Sequence, residues 1–151
     1  MSLVFPYVPF VTARPLWSLH GRTERPRPVV AVSIVGPTGT VTLQGLLDPG
    51  ADDTVFPERI AAAIGLDLGN APTGAAAGVG RVPAILRYAE VVLRLTDGRE
   101  YREWPARVAF TASPLHWPLF GFAGFLQFFT ATFHGDREQV KLAINNAYPG
   151  T

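Results

Sequence analysis

Glycine and proline occur at close intervals along this chain, and their spacing limits the folds that it can adopt. The 151 residues include 15 glycines and 14 prolines, which are spread along the whole chain. They separate short apolar runs, a pattern typical of β-strands joined by turns. Hydrophobic residues make up 48% of the chain, enough to bury the core of one domain of this length. The sequence therefore predicts an all-β domain with little helix.

The predicted strands are β-branched and apolar runs between turn residues. Residues 29–35 and 40–47 flank a Gly-Pro-Thr-Gly turn and predict a β-hairpin. Further strands are predicted within residues 82–95, 100–110 and 139–144. The aromatic stretch at 120–133 is expected to pack in the core or in a dimer interface.

One helix is predicted, over residues 57–65. Pro57 suits the start of a helix, Glu58 places negative charge in the first turn, and the interior is rich in alanine. Gly65 can end the helix, because glycine adopts the left-handed conformation at low cost. A loop of small residues is expected to follow, at 69–80.

The first 28 residues are rich in proline and are expected to form an irregular N-terminal arm, with one short strand near 7–12. The basic stretch at 14–27 is broken by prolines, so an extended segment fits it better than a helix. The apolar start of the chain is also interrupted by prolines and lacks the features of a signal peptide. Residues 29–151 are expected to form the folded domain.

The charge and the cysteine content exclude several kinds of site. The formal net charge is +1, without the basic patch that binds nucleic acid or an anionic membrane. No segment approaches the roughly 20 apolar residues of a membrane span. The absence of cysteine excludes disulfides and thiolate metal sites, and fits a reducing cytoplasm. His20, His116 and His134 lack the spacing of metal ligands, so neither a metal nor another cofactor is predicted.

The most informative segment reads Leu-Leu-Asp-Pro-Gly-Ala-Asp-Asp-Thr-Val, with Asp48 as its first acidic residue. Its Asp-Pro-Gly part is a good turn sequence, so an ordinary turn is one interpretation. The other interpretation starts from the position of Asp48 at the end of a buried strand, followed closely by Asp52 and Asp53. Two carboxyl groups that share one proton can act as base toward water and as acid toward a peptide carbonyl.

This segment resembles the active-site motif of the retropepsins, the retroviral-type aspartic peptidases, whose usual form has Thr or Ser in place of Pro49. The predicted helix resembles one that follows the motif in bacterial retropepsin-like proteins. The loop at 74–80 lies where the family has its glycine-rich flap, and Leu119-Phe120-Gly121 resembles the second family signature. The resemblance covers about residues 29–144. It implies a retropepsin-like acid protease fold with a closed, barrel-like sheet.

By this resemblance Asp48 is the catalytic residue of an aspartic endopeptidase. The chain has one such motif whereas the mechanism needs two aspartates, so the resemblance implies a homodimer with the active site at its interface. An extended peptide or protein segment is the implied substrate, held by strand addition beneath the flap. The residues implied to contact it are Gly50, Ala51, Asp52, Asp53, Gly78, Val79 and Gly80.

Two positions depart from the family pattern. Pro49 replaces a Thr that hydrogen-bonds across the dimer axis, and proline has neither a hydroxyl nor a backbone N–H. A weaker or differently held dimer is therefore predicted. Phe122 stands where the family commonly has an Arg paired with the residue that corresponds to Asp52. These departures support an alternative function, a catalytically inactive dimerisation or peptide-binding module; a generic β-domain with a coincidental turn at Asp48 is a third interpretation.

Overall fold

A computed structural model describes residues 1–76 and 83–151 of the chain. The strands in these ranges are β1 (Ser2–Pro6), β2 (Val8–Leu16), β3 (Arg22–Arg27), β4 (Val29–Val35), β5 (Thr40–Leu47), β6 (Val55–Pro57), β7 (Thr73–Ala76), β8 (Ala84–Thr96), β9 (Tyr101–Thr111), β10 (Leu119–Phe120), β11 (Phe129–His134) and β12 (Gln139–Ile144). The helix α1 spans Glu58–Ala63, and short 3₁₀ helices span Trp17–Leu19 and Leu126–Phe128. The predictions of an all-β class and of one short helix are confirmed.

Seven strands form the main sheet, in the order β4-β5-β10-β6-β9-β8-β7, and β4 also pairs with β8. This last pairing closes six of the strands into a ring. The length of β8 allows the closure: one of its edges pairs with β9, while the other pairs with β7 near Arg87 and with β4 near Leu95. The closed, barrel-like sheet expected from the sequence is thus present.

The strand β10 lies between β5 and β6, parallel to β5 and antiparallel to β6. Because β5 and β6 are consecutive in the chain, the loop that joins them must cross the end of β10. This loop, residues 48–54, is named here the acidic loop. The crossing brings it against the residues that follow Phe120, more than sixty positions later in the sequence.

The ring is filled by aliphatic and aromatic side chains. The Trp104 ring makes edge contacts with Phe125 and Phe129, at centroid distances of 5.3 and 5.2 Å, and Phe120 stacks on Phe125 at 4.9 Å. All four side chains are buried, and such aromatic pairs add about 0.5–1.5 kcal/mol each beyond the burial of their area. The expectation that this aromatic stretch supplies core packing is confirmed for these residues.

The helix α1 closes one side of the core through Ile60 and Ala61, which are buried. Pro57 precedes it in an extended conformation, and Gly65 follows it with φ +84°. A glycine in this left-handed conformation is what the sequence predicted for the end of the helix. Among the residues described, no helix has the length and apolar character needed to cross a membrane.

The first 27 residues contain three strands, so this segment is more regular than expected; the short strand expected near 7–12 overlaps β2. β1 extends a second sheet, β1-β12-β11, and its Leu3 is fully buried in the core. Among the strands that the structure describes, β2 and β3 pair only with each other and form a two-stranded ribbon. Proline is tolerated there because both strands are edges, and an edge strand can direct a missing N–H away from its partner. Pro9 and Pro26 lie opposite each other in this ribbon.

Candidate active site

Asp48 is the first residue after β5, where the acidic loop begins. Its backbone N–H donates to the carbonyl oxygen of Phe120 at 3.1 Å, which continues the parallel pairing of β5 with β10. Side chains alternate along an extended strand, so Leu47 points into the core while Asp48 shares the outer face with Leu46. Leu47 is accordingly 2% exposed, and Asp48 is half-buried. The carboxylate therefore stands at the surface on a well-anchored backbone.

The Asp48 carboxylate is oriented by its own loop. Its Oδ1 accepts the N–H of Gly50 at 2.9 Å, and its backbone carbonyl accepts the N–H of Ala51 at 3.1 Å. This local turn is the one that the Asp-Pro-Gly sequence predicts. The second carboxylate oxygen, Oδ2, has no donor within the described parts of the chain, so it is open to a water molecule or to another carboxyl group.

The acidic loop is fastened to residues 122–123 by backbone hydrogen bonds. The N–H of Phe122 donates to the carbonyl of Ala51, and the N–H of Ala123 to that of Asp52, both at 2.9 Å. Thr54 returns two bonds to the carbonyl of Ala123, from its backbone N–H at 3.1 Å and from its hydroxyl at 2.8 Å. Thr54 is fully buried. These bonds fix the position of the loop, since each satisfies a backbone group that has no partner within the loop itself.

Gly121 allows this close approach. A Cβ atom at this position would lie 2.3 Å from the carbonyl oxygen of Asp53 and 2.6 Å from that of Ala51. Both distances are far inside van der Waals contact, so no residue with a side chain fits without moving the acidic loop. The glycine of the second sequence signature is therefore explained by a packing constraint.

Asp53 is bound by a residue that the sequence interpretation missed. The hydroxyl of Tyr88, on β8, donates to Asp53 Oδ2 at 3.0 Å. Burial, and next the hydrogen bond from the phenol to the Asp53 carboxylate, raise the pKa of Tyr88 above its usual value of 10. Gly74 on β7 lies against the Tyr88 ring, since a Cβ there would be 2.9 Å from it. Tyr88 thus connects the β7–β8 hairpin to the acidic loop.

Two cavities lie near this end of the sheet, and only the second is lined by a residue of the acidic loop. One of about 690 Å³ lies on the face that carries Leu46. Its lining is mostly apolar and consists of Arg27, Leu46, Pro114, Leu115, His116, Trp117 and Leu119. The other, of about 310 Å³, lies beside Asp53; its lining residues are Asp53, Tyr88, Arg107, Ala123, Gly124, Gln127 and Phe128. The sequence analysis did not predict most of these lining residues. Strand register and the path of the 112–118 loop bring them to the cavities, and neither can be recognised from a local sequence pattern.

The residues implied to contact substrate fall into two groups. Gly50, Ala51, Asp52 and Asp53 form the acidic loop, with Gly50 and Asp52 exposed and the other two half-buried. Gly78, Val79 and Gly80 lie outside the described residues. The base of the hairpin that leads to them is described: β7 pairs with β8 from Thr73↔Arg87 to Ala76↔Ala84. Below it, Val55, Leu86 and Ala109 form a small apolar cluster.

Within residues 1–76 and 83–151, no group of three or more His, Asp or Glu side chains has the arrangement of a metal site. Comparisons with protein-family models and with curated proteins find no match for this chain. The functional argument therefore depends on the geometry of the acidic loop, in which the Asp48 carboxylate is half-buried and accepts a backbone N–H.

Proposed function

We propose that the chain is an aspartic endopeptidase of the retropepsin-like type, which hydrolyses peptide bonds as a homodimer. The observation that supports this proposal most directly is the setting of Asp48. Its carboxylate is oriented by the Gly50 N–H, on a loop that crosses β10 and is fastened to residues 122–123. A general acid or base must hold its position within a few tenths of an ångström, and such a backbone frame favours this.

The proposed chemistry uses two carboxyl groups with one proton between them. The ionised carboxyl takes a proton from water, and the water oxygen attacks the carbonyl carbon of the peptide bond. The protonated carboxyl donates its proton to the carbonyl oxygen. As the C–N bond breaks, the carboxyl that took the water proton gives it to the departing amine nitrogen, and the other carboxyl takes back a hydroxyl proton, which restores the pair. No metal or organic cofactor is needed, because the two carboxyl groups supply both the acid and the base.

The need for two carboxyl groups is the reason for proposing a homodimer. The chain has one Asp-x-Gly-Ala sequence, so a two-fold axis beside Asp48 must supply the second copy. Oδ1 of Asp48 is engaged by its own loop, which leaves Oδ2 to face the symmetry-related carboxyl group. In such a pair the proton belongs to both aspartates rather than to either one.

The proposed substrate is an extended peptide that lies between the acidic loop and the β7–β8 hairpin. Such a peptide pairs its backbone with the protein and places alternate side chains in pockets. The cavity beside Leu46 and Leu119 suits an apolar side chain next to the scissile bond. Gly50 to Asp53, together with Gly78, Val79 and Gly80, remain the proposed contacts to the peptide backbone. A cytoplasmic location also remains a proposal, supported by the cysteine-free sequence.

A second candidate is a dimeric peptide-binding module without catalysis. Two features favour it: the exposed Pro49, which cannot donate a hydrogen bond across the axis, and Phe122, whose side chain is 60% exposed beside the acidic loop. An exposed aromatic residue at that position suits binding, because aromatic residues are frequent energetic anchors of interfaces.

The test of catalysis is a peptide-cleavage assay at mildly acid pH with Asp48→Asn. Asn retains the shape and can still accept the Gly50 N–H, so only the acid–base function is removed. A loss of about 10²–10⁴-fold in kcat is expected. Asp67→Asn is the matched control, because Asp67 Oδ1 accepts the N–H of Gly69 at 2.9 Å in the same kind of turn. It should cleave at the wild-type rate.

Equal cleavage by wild type and by Asp48→Asn would exclude Asp48 as the catalytic residue. A wild-type dimer that binds peptides without cleaving any member of a diverse peptide pool would favour the binding module. A wild type that stays monomeric at high concentration would exclude both dimeric functions.

A further inference from the structure

The ribbon formed by β2 and β3 has no core of its own. From Val8 to Arg27 no residue is buried, and the side chains of Val11 and Trp17 are 84% and 97% exposed. A lone two-stranded hairpin is at best marginally stable in water. A ribbon with this much exposed apolar surface is therefore expected to be covered by another surface in the working protein.

The root of the ribbon borders the face that carries Asp48. The Phe10 ring packs edge-on against Trp117 at a centroid distance of 4.8 Å. Arg27 and Trp117 line the same cavity as Leu46, the residue that shares the outer face of β5 with Asp48. A second copy that binds to this face across the proposed two-fold axis would therefore also lie close to the ribbon.

The ribbon and the acidic loop carry opposite charges. Between Val8 and Arg27 there are four arginines and one glutamate, a net charge of +3, which falls to +2 when the pairing of Arg22 with Glu138 of the same subunit is counted. The acidic loop holds three aspartates. The whole chain has a net charge of only +1, so two copies do not repel each other strongly. When two copies meet face to face, the basic ribbon of each can lie against the acidic loop of the other. The surface is therefore electrostatically complementary to a second copy of itself.

We propose that the β2–β3 ribbon is an arm that clasps a second copy of this chain beside the Asp48 face. Trp17 is the apolar anchor, and Arg14 and Arg25 of the ribbon face the partner's acidic loop. The six residues of β3 span about 20 Å, and the pair between Arg22 and Glu138 holds this strand to its own subunit. The inference rests on the proposed homodimer and adds the surface that holds it together.

Sedimentation equilibrium of the full chain and of Trp17→Ala tests the apolar contact. Trp17 is 97% exposed, so its removal should leave the fold intact. Loss of a central tryptophan anchor should raise the dimer dissociation constant at least about 30-fold. Tyr101→Ala, which removes another exposed aromatic side chain from the main sheet, is the control and should leave the dissociation constant unchanged.

Arg14→Glu tests the charge complementarity against Arg99→Glu, which changes the net charge equally at an exposed turn outside the arm. The dimer affinity should fall with Arg14→Glu and stay unchanged with Arg99→Glu. The affinity of the wild-type dimer should also decrease when the salt concentration is raised from 0.1 to 1 M, because the Debye length shrinks from about 10 to about 3 Å. Replacement of residues 9–26 by a two-residue turn, which the pairing of Val8 with Arg27 permits, should abolish the dimer.

The outcomes separate this inference from the proposed catalysis. A dimer as tight in Trp17→Ala and in the arm deletion as in wild type overturns the clasp, while Asp48-dependent cleavage would stand. A dimer that depends on the arm but shows no Asp48-dependent cleavage upholds the clasp and overturns the peptidase. A wild type that is monomeric at all concentrations overturns the clasp as well.

Discussion

Replacement of Gly121 by alanine is the most direct test of how the acidic loop is held. The new methyl group would stand 2.3 Å from the carbonyl oxygen of Asp53 and 2.6 Å from that of Ala51, whereas ordinary contact begins at 3.4 Å. The backbone segments must therefore separate by about 1 Å. Both obstructing atoms are backbone atoms, so neither can rotate away as a side chain would. The φ angle of Gly121 lies outside the left-handed region, so the cost is steric rather than conformational.

The magnitude follows from two contributions. Overpacking of a tight contact costs about 1–3 kcal/mol. A separation of 1 Å also stretches the bonds from Phe122 N–H to Ala51 and from Ala123 N–H to Asp52, each worth about 0.5–1.5 kcal/mol. The variant should lose roughly 2–6 kcal/mol of unfolding free energy, or about 4–24 °C in Tm for a chain of this length.

Chemical or thermal unfolding at fixed protein concentration measures this loss. Gly135→Ala is the matched control, because a Cβ at this position meets no atom within 4 Å and the φ angle lies outside the left-handed region. The free energy of unfolding of this variant should differ from that of the wild type by less than about 0.5 kcal/mol. If the peptidase proposal is correct, Gly121→Ala should also lower kcat about 10²-fold, because displacement of the acidic loop moves Asp48. A Gly121→Ala protein as stable as Gly135→Ala would refute the packing argument.

Two further predictions concern neighbours of Asp48. In urea unfolding, Tyr88→Phe should lower the free energy of unfolding by about 1–2 kcal/mol, because it leaves a half-buried Asp53 oxygen without its hydrogen-bond donor. Tyr101→Phe is the control: it removes an exposed hydrogen bond from tyrosine to Glu103 and should change the free energy of unfolding very little. Since the pKa of Tyr88 is raised, its contribution is fully present below pH 10 and is lost only as the pH rises through the folded-state pKa, so the difference should be constant from pH 6 to pH 9. Pro49→Thr should tighten the dimer in sedimentation equilibrium, by several-fold for each hydrogen bond of about 0.5–1.5 kcal/mol restored across the axis; unchanged affinity would exclude that role for position 49.

Local patterns predicted the individual elements well. The hairpin of residues 29–35 and 40–47 has the predicted strand boundaries, and α1 lies within the predicted 57–65 with Gly65 in the left-handed conformation. These features depend on residues close in sequence, so the sequence carries their signal. The sequence predicts one short strand in the first 28 residues, whereas the structure has three; proline disfavours central strands, but edge strands such as these tolerate it.

The surroundings of the acidic loop were beyond sequence reasoning for a different reason. The segment from Asp48 to Asp53 is contiguous and was found from its composition, but its partners come from distant parts of the chain. Tyr88 reaches Asp53 through the register of β8, and Phe122 reaches Ala51 because β10 inserts between two consecutive strands. A one-residue change of register would send Tyr88 to the opposite face of its strand.

The sequence alone determined that this chain forms short strands and one helix, and where its unusual cluster of carboxylates lies. Strand and turn preferences act over a few residues, so they can be read without knowledge of the rest. Only the tertiary structure decided that the pairing of β4 with β8 closes the ring, and that the acidic loop is held against Gly121 and residues 122–123. It alone decided also that the β2–β3 ribbon stands exposed. These features result from packing between segments that are far apart in the chain. The free energy of that packing depends on side-chain fit and strand register, which a local sequence pattern does not contain.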